Sequence, residues 1–508
     1  MARFYLTTAI DYSNGDPHLG HALEKVGADA IARYRRLRGD EVHFLMGMDE
    51  HSQSVIQAAE SNQVTPADWV QRMAGRFAEF WHRLGCSHDD WIRTSEPRHH
   101  RAVAELLRRI QQHTPDDLFL ADYEGQYCTG CEEFKAGAQI AAGRCVEHPT
   151  LALVPTRERN HFFRLSVYRD RLLGLIRSGA FRVEPAIRRN EVLRLLQDGL
   201  QDTSISRSRF PWGVAFPDSP GHTVYVWFDA LINYLTATGF PEPGYERLWP
   251  ADLHVIGKGI TRLHCALWPA MLLAADLPLP RQVWAHGYVQ WEGAKMSKTA
   301  GTAVNLHEAI ERHGADALRY YLLREIGFEN DGDFTWDRFD ERYTADLADG
   351  LGNLASRSLA MLAKYRAGRV PTAAEDSALD TAGATALERY AEAMDRLELK
   401  PAIEAAWTLV TTANQYIVLE QPWALAKAGR DHDLDRVLAS LAGCLHRLAL
   451  MSAPVMPMKA EQLWRALGHD GTPQPADWTA AERPPMAGRT TVKPPALFPK
   501  PATPESVS

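Results

Sequence analysis

The sequence predicts an α/β fold, a doubly wound parallel sheet split by a cysteine-bearing insertion and followed by an α-helical bundle. Three observations carry this expectation. The first fifty residues alternate β-prone run, turn, helix and β-prone run. Sheet-like segments of the same kind return only after residue 250, beyond a cluster of cysteines. From about Asp340 onward, apolar residues recur at helical spacing almost without interruption.

Taken in order, Phe4 to Ala9 is a short β-prone run, and Ser13-Asn14-Gly15-Asp16-Pro17 is dense turn chemistry. Leu19, Leu23, Val26, Ala30 and Tyr34 then fall on one helix face, and Glu41 to Gly47 is a second β-prone run. This is a βαβ unit whose loop sits at the carboxyl end of the first strand, where parallel sheets place their ligands. Leu253 to Gly257, a helix, and Gln282 to Val289 extend the same sheet, a Rossmann-like plan. Ile403, Trp407, Val410, Asn414 and Ile417, and then Leu434, Leu438, Leu441, Leu445 and Leu448, predict packed helices. Nine prolines fall in the 36 residues from Pro473, so that tail should be extended, strapped to the surface or loose. The expected boundaries are 1–117 and 222–290 for the two sheet halves and 118–221 for the insertion. A linking region at 291–348, the bundle at 349–472 and the tail at 473–508 complete the chain.

At 508 residues the chain is long enough for about three domains. Its 45% hydrophobic and 24% charged residues exclude a largely disordered or fibrous protein. A net charge of −8 is not that of a polyanion-coating protein, so any nucleic acid must be met by a local basic surface. The apolar stretch Cys265 to Ala275 is 11 residues, short of the ~20 that span a bilayer, and no membrane association is expected. The N-terminus lacks the apolar run of a secretory signal. Six cysteines in a chain of this length are no disulfide framework, which suits a reducing cytoplasm.

Three elements bear on chemistry. His18-Leu19-Gly20-His21 lies where a strand-end loop turns into a helix. Helix N-termini offer free N–H groups and positive potential, so they suit phosphates, and a glycine lets a ligand approach the backbone. Two surface histidines beside a turn would read the same way in isolation. Lys295-Met296-Ser297-Lys298-Thr299 follows a Glu292-Gly293 turn, and its lysines could neutralise a polyphosphate; an exposed basic loop is the plainer alternative. The third element, Cys128-x2-Cys131-x13-Cys145-x2-His148, has two close ligand pairs, as a tetrahedral structural zinc requires.

The first two elements occur together, in order, each beside a sheet strand. In this the chain resembles the class I aminoacyl-tRNA synthetases, with their HIGH-type (His18 to His21) and KMSKS-type (Lys295 to Thr299) signatures. More narrowly it is similar to the methionyl-tRNA synthetase family of the single zinc-knuckle type. The likeness rests on Asp11 to Pro17, Gly47-Met48-Asp49-Glu50-His51, Arg93 to His99, Ile205-Ser206-Arg207, Tyr225 to Tyr234, His286-Gly287-Tyr288-Val289 and Ala496 to Lys500.

The resemblance implies methionine activation by ATP and transfer to tRNA(Met), with one structural Zn2+ on Cys128, Cys131, Cys145 and His148 and Mg2+ accompanying ATP. It makes His18, His21, Lys295 and Lys298 catalytic, with Gly20, Lys258, Met296 and Ser297 joining them around ATP. Ala9, Ile10, Tyr12, Asp49, Arg207, Trp227, Ala230, Tyr234 and His286 would hold methionine, Asp49 taking the ammonium. Asn353, Arg357 and Trp423 would read the anticodon. Two residues depart from the pattern: Gly259 and Asp349 stand where Asp and Asn are usual. The absence of a C-terminal oligonucleotide-binding appendix leads to the expectation of a monomer.

Overall fold

The computed structural model describes residues 2–500 apart from 132, 136, 147, 148, 209, 292, 293, 296–303 and 373–376. Seven strands form the main sheet: β1 (Arg3–Thr8), β2 (Asp11–Tyr12), β3 (Glu41–Asp49), β4 (Asp90–Arg93), and, much later in the chain, Arg182–Glu184, Leu253–Gly257 and Gln282–His286. Every pairing within it is parallel. β1 lies at the centre, flanked by β3 on one side and Leu253–Gly257 on the other. The strand order therefore reverses beside β1, which makes the crevice beyond its carboxyl end the place for a ligand.

The helix after β1, α1 (Leu19–Leu37), buries the face that the spacing predicts: Leu19, Leu23, Val26, Ala30 and Tyr34 are all fully buried. The same helix also buries Glu24, Lys25 and Asp29, charges that apolar periodicity does not foresee. The strand expected over Gln282 to Val289 ends at His286. Val289–Trp291 pairs instead with Ala294–Lys295 and Gly332–Asp333 in a separate small sheet. The break falls at Gly287, where a Cβ would lie 2.3 Å from the Asn330 carbonyl, so another backbone presses against the chain and only glycine fits.

The insertion is built on a long antiparallel pair, β5 (Leu118–Cys128) with β6 (Val154–Phe163), in register from Leu118↔Phe163 to Tyr127↔Val154. Exposure alternates along β5, the mark of a sheet wetted on one face. The segment read as insertion is not wholly separate, because its Arg182–Glu184 strand returns to the edge of the main sheet beside Gln282–His286.

In the bundle, Ser377 caps the helix Ala378–Asp395 in a reciprocal box with Asp380. Leu399–Glu420 and Asp431–Ser452 pack against it. Leu434, Leu438, Leu441, Leu445 and Leu448 are all buried, as their spacing requires. On the preceding helix Ile403, Val410 and Ile417 are core, whereas Trp407 and Asn414 are only half-buried and border a surface groove. As far as residue 500 the tail is strapped down rather than loose, although it contains one short helix, Pro475–Ala480. Leu497 and Phe498 are buried, Tyr343 donates to the Pro499 carbonyl at 2.7 Å, and Lys500 pairs with Asp349 at 2.7 Å. That ion pair gives the unusual Asp349 a partner. Among the described residues no helix is long and apolar enough to cross a membrane.

Candidate active site

A cavity of about 220 Å3 opens at the carboxyl end of β1, where the strand order reverses. Ala9, Ile10, Tyr12, Asp49, Trp227, Ala230, Tyr234 and His286 all line it, together with His18, Gly20 and His21. The walls are apolar and aromatic: Tyr12 and Trp227 meet edge to face at 5.5 Å, and Tyr234 is buried. Asp49 is a buried carboxylate at one side of this hole.

At the other side stands the α1 N-terminus. His18 is its cap; its Nδ1 accepts from the His21 backbone N–H, and His21 Nδ1 accepts from the His18 N–H. The two rings stack with centroids 3.6 Å apart. Because both Nδ1 atoms accept, each neutral ring carries its proton on Nε2 and is a donor there. Gly20 leaves the room for this arrangement, since a Cβ would sit 3.1 Å from the His18 ring.

Beneath the cavity lies a buried polar network that the motifs do not reveal. Lys25 Nζ donates to the Ala9 carbonyl at 2.7 Å and pairs with Asp11 at 2.7 Å and Glu24 at 2.8 Å. Glu24 also meets His286 Nε2 at 3.1 Å. Burial alone would raise the Glu24 carboxyl and lower the Lys25 amine, but Lys25 and His286 outweigh it at Glu24, and Asp11 and Glu24 outweigh it at Lys25, so both stay ionised. Asp11 is raised to about 6, burial winning over Lys25 there. Tyr234 donates to His264 Nε2 at 2.7 Å, and burial pushes that imidazole down to about 4, so it is neutral and accepts. On the far side of Trp227, Asp229 is buried between His51 Nδ1 and His99 Nε2, each at 2.7 Å. Despite burial, those two rings hold its carboxyl far below the usual range. This clamp locks the helix Val226–Leu231, which carries Trp227 and Ala230, onto the end of β3. Charged residues inside an apolar helix face are the one local signal that could have exposed such a network.

Two predicted residues fall outside this cavity. Arg207 lines a neighbouring one, because its short strand Ser206–Arg207 packs it between Tyr225 (4.3 Å) and Tyr127 (4.9 Å). Lys258 lies at the rim, paired with Asp331 at 2.7 Å and lying over the Tyr288 ring at 4.7 Å. At Gly259 beside it a Cβ would fall 2.1 Å from the Tyr288 hydroxyl, so a side chain there would have to displace the end of that exposed tyrosine. Of the basic loop, Lys295 belongs to the strand Ala294–Lys295, while Met296, Ser297 and Lys298 lie outside the described residues.

The Sγ atoms of Cys128, Cys131 and Cys145 lie within 4.8 Å of one another, and those of Cys131 and Cys145 are 3.5 Å apart with no disulfide between them. Tetrahedral Zn–S bonds of 2.3 Å would place sulfurs about 3.8 Å apart, so the three fit a zinc ion. His148 lies outside the described residues. Trp227 Nε1 donates to the Cys131 carbonyl at 3.2 Å, which ties the cavity wall to this knuckle.

In the bundle, Asn353 and Arg357 border a groove of about 750 Å3 with Trp407 and Asn414. Trp423, on the short helix Pro422–Lys427, is 46% exposed and is not a core residue.

A parallel sheet with a histidine-bearing helix N-terminus at its switch point and a helical bundle behind it is the arrangement of an amino-acid-activating ligase of the tRNA synthetase class. Residues 4–151 and 150–359 match the family described as tRNA synthetases class I (M), and residues 367–506 match the anticodon binding domain of methionyl tRNA ligase. The chain belongs to this family. It is 40% identical to the methionine–tRNA ligase of Brucella suis over 98% of both chains. It is also 40% identical to that of Thermotoga maritima over 93% of this chain and 76% of the relative. Its structure is similar to that of the Mycobacterium tuberculosis methionyl-tRNA synthetase in complex with methionyl-adenylate, with a TM-score of 0.93 at 39% identity, covering 98% of this chain and 100% of the other.

Proposed function

We propose that the cavity performs the two steps of a methionine–tRNA ligase: it activates L-methionine with ATP to methionyl-adenylate and passes the aminoacyl group to the 3′ end of tRNA(Met). The observation that carries this is the juxtaposition of an apolar, aromatic hole holding one buried carboxylate with a helix N-terminus that presents two imidazole donors.

The thioether side chain fits among Tyr12, Trp227, Ala230 and Tyr234, and Asp49 takes the ammonium. The substrate carboxylate, ionised at neutral pH, then needs no protein base. Its oxygen bonds to the α-phosphorus as the bond to the bridging oxygen breaks, the electron pair leaving with pyrophosphate. His18 and His21 donate through Nε2 to the phosphate oxygens on which charge grows, and the α1 N-terminus adds its field. Lys295 and Lys298 are the residues we assign to the departing pyrophosphate, with Mg2+ travelling on ATP. In the second step a hydroxyl of the terminal ribose attacks the carbonyl and AMP leaves. Positioning and charge stabilisation carry the rate. Both the cavity and the groove come from one chain, so a monomer suffices, and six cysteines without a disulfide among them suit the cytoplasm, where tRNA is charged.

ATP–pyrophosphate exchange with a panel of amino acids, together with tRNA charging, tests this reading; exchange with another amino acid in preference to methionine would overturn it. Asn353, Arg357 and the exposed Trp423 are our assignment for the anticodon. A base stacked on an aromatic ring is worth ~1–3 kcal/mol, so Trp423→Ala should lower charging by roughly 10-fold while exchange stays normal. Equal loss in both assays would mean damage to the fold.

We assign one zinc to Cys128, Cys131, Cys145 and His148, where it would shape the knuckle and take no part in the chemistry. Through the Trp227–Cys131 hydrogen bond its loss should also loosen the methionine wall. Cys131→Ser is therefore expected to lower the metal content and raise the methionine KM more than it lowers kcat. Full metal content in that variant would reject the ligand set.

A further inference from the structure

Lys25 is fully buried beneath the methionine cavity and takes no part in the two chemical steps. We propose that it is a positioning residue that sets the width of the cavity, and with it the length of amino-acid side chain accepted, an inference that rests on the function proposed above.

Topology is the first argument. From β1 at the centre of the sheet, β2 lies two strands away on one side and Gln282–His286 two strands away on the other. Tyr12 of β2 and His286 line the methionine cavity from these two flanks. The Lys25 ammonium is tied to both. On one flank it donates to the Ala9 carbonyl at 2.7 Å and pairs with Asp11 at 2.7 Å, which holds the turn from Ala9 to Tyr12. On the other it pairs with Glu24 Oε1 at 2.8 Å, and Glu24 Oε2 meets His286 Nε2 at 3.1 Å. The turn is also pressed from below, since a Cβ on Gly47 of β3 would fall 3.0 Å from Ile10 Cγ2.

Chemistry is the second. An ammonium has three N–H groups, and the Ala9 carbonyl, Asp11 and Glu24 occupy all three. A buried side chain engaged at every donor has one position, unlike a lysine in a single exposed ion pair. Stability alone gives no reason for such a cluster, because apolar residues of similar volume often serve as well as a buried ion pair or better. What apolar residues do not supply is directional contact with a carbonyl and two carboxylates that stand on opposite sides of a crevice. That contact matters for selectivity: one methylene is worth ~10–200-fold in an apolar pocket, and only while its walls do not yield.

The test is the ratio of kcat/KM for methionine to that for ethionine, one methylene longer beyond sulfur, both read by ATP–pyrophosphate exchange. In the wild-type chain the ratio should lie at ~10–200. Lys25→Met should lower it by about 5-fold or more and should raise the methionine KM more than it lowers kcat. A chain that is merely destabilised has fewer active molecules, which lowers kcat for both amino acids and leaves the ratio and KM as they were. Asp11→Asn, nearly the same shape, cuts one tie and should move the ratio in the same direction. Added to Lys25→Met it should change nothing further, because Asp11 acts here through the lysine. Where Lys25→Met gives no active chain, Asp11→Asn alone decides. A wild-type ratio near 1, a ratio unmoved in the active variants, or losses that simply add would overturn the assignment. Absence of methionine-dependent exchange in the wild-type chain would instead count against the function itself.

Discussion

His21→Ala should cut adenylate formation by roughly 10² or more while leaving methionine affinity nearly unchanged, because one preorganised donor to a developing charge is worth about 3 kcal/mol. The geometry separates the two effects. Methionine is expected among Tyr12, Trp227 and Tyr234 with Asp49 at its ammonium, and His21 stands instead at the α1 N-terminus, stacked on His18 at 3.6 Å. Its Nδ1 is committed to the His18 backbone N–H, which leaves Nε2 to donate toward phosphate. The substitution also removes one half of a capping box, which costs about 1 kcal/mol of helix stability, too little to unfold the chain. Pre-steady-state adenylate formation and methionine binding by fluorescence check both sides. Weaker methionine binding at an unaltered exchange rate would move His21 out of the phosphate site and into the amino-acid pocket.

How far this site was legible in the sequence depends on how local each device is. His18 and His21 could be found because the cap, the glycine and the helix start fall within four residues, and the helix face is written in the spacing of Leu19, Leu23 and Val26. The knuckle cysteines were legible for the same reason. The support beneath the cavity was not, since its partners are far apart along the chain: His51 meets Asp229 and His99, and Glu24 meets His286. Arg207 was expected at the methionine cavity, and its actual place was not legible, because its position depends on Tyr127 across the insertion. The end of the strand at His286 is likewise set by the Asn330 backbone pressing on Gly287, a contact that no run of β-prone residues records.

The same reasoning leads to the largest expected effect on stability, at Asp29 and Arg319. Both are fully buried, and they join α1 to the helix Ala315–Tyr321 through a 2.6 Å ion pair. Arg319 also donates to the carbonyls of Val455 (2.8 Å), Pro454 (3.1 Å) and Leu84 (3.3 Å). Asp29 accepts from Arg33 Nε at 2.7 Å and from the backbone N–H and hydroxyl of Ser87, each at 2.6 Å. Sheet domain, bundle end and the loop after residue 83 therefore meet at one pair. Removing a single partner leaves an uncompensated charge in the interior, so Asp29→Ala or Arg319→Ala should each lower unfolding stability by about 3–5 kcal/mol, measured by urea denaturation. Asp29→Leu with Arg319→Met should lose less than the sum of the two single changes, because no buried charge is then left alone. The pH dependence has a definite sign. Burial pushes the Asp29 carboxyl up, but Arg319 and Arg33 outweigh it and hold it at about 2, below its ordinary 3.8. A depressed carboxyl contributes stability in full above 3.8 and loses it as the pH falls from there through about 2. The gap in stability between the wild-type chain and Asp29→Asn should accordingly close across that window and remain constant above it. A gap below about 1 kcal/mol at neutral pH would put the pair in the class of exposed ion pairs and deny it this role at the junction.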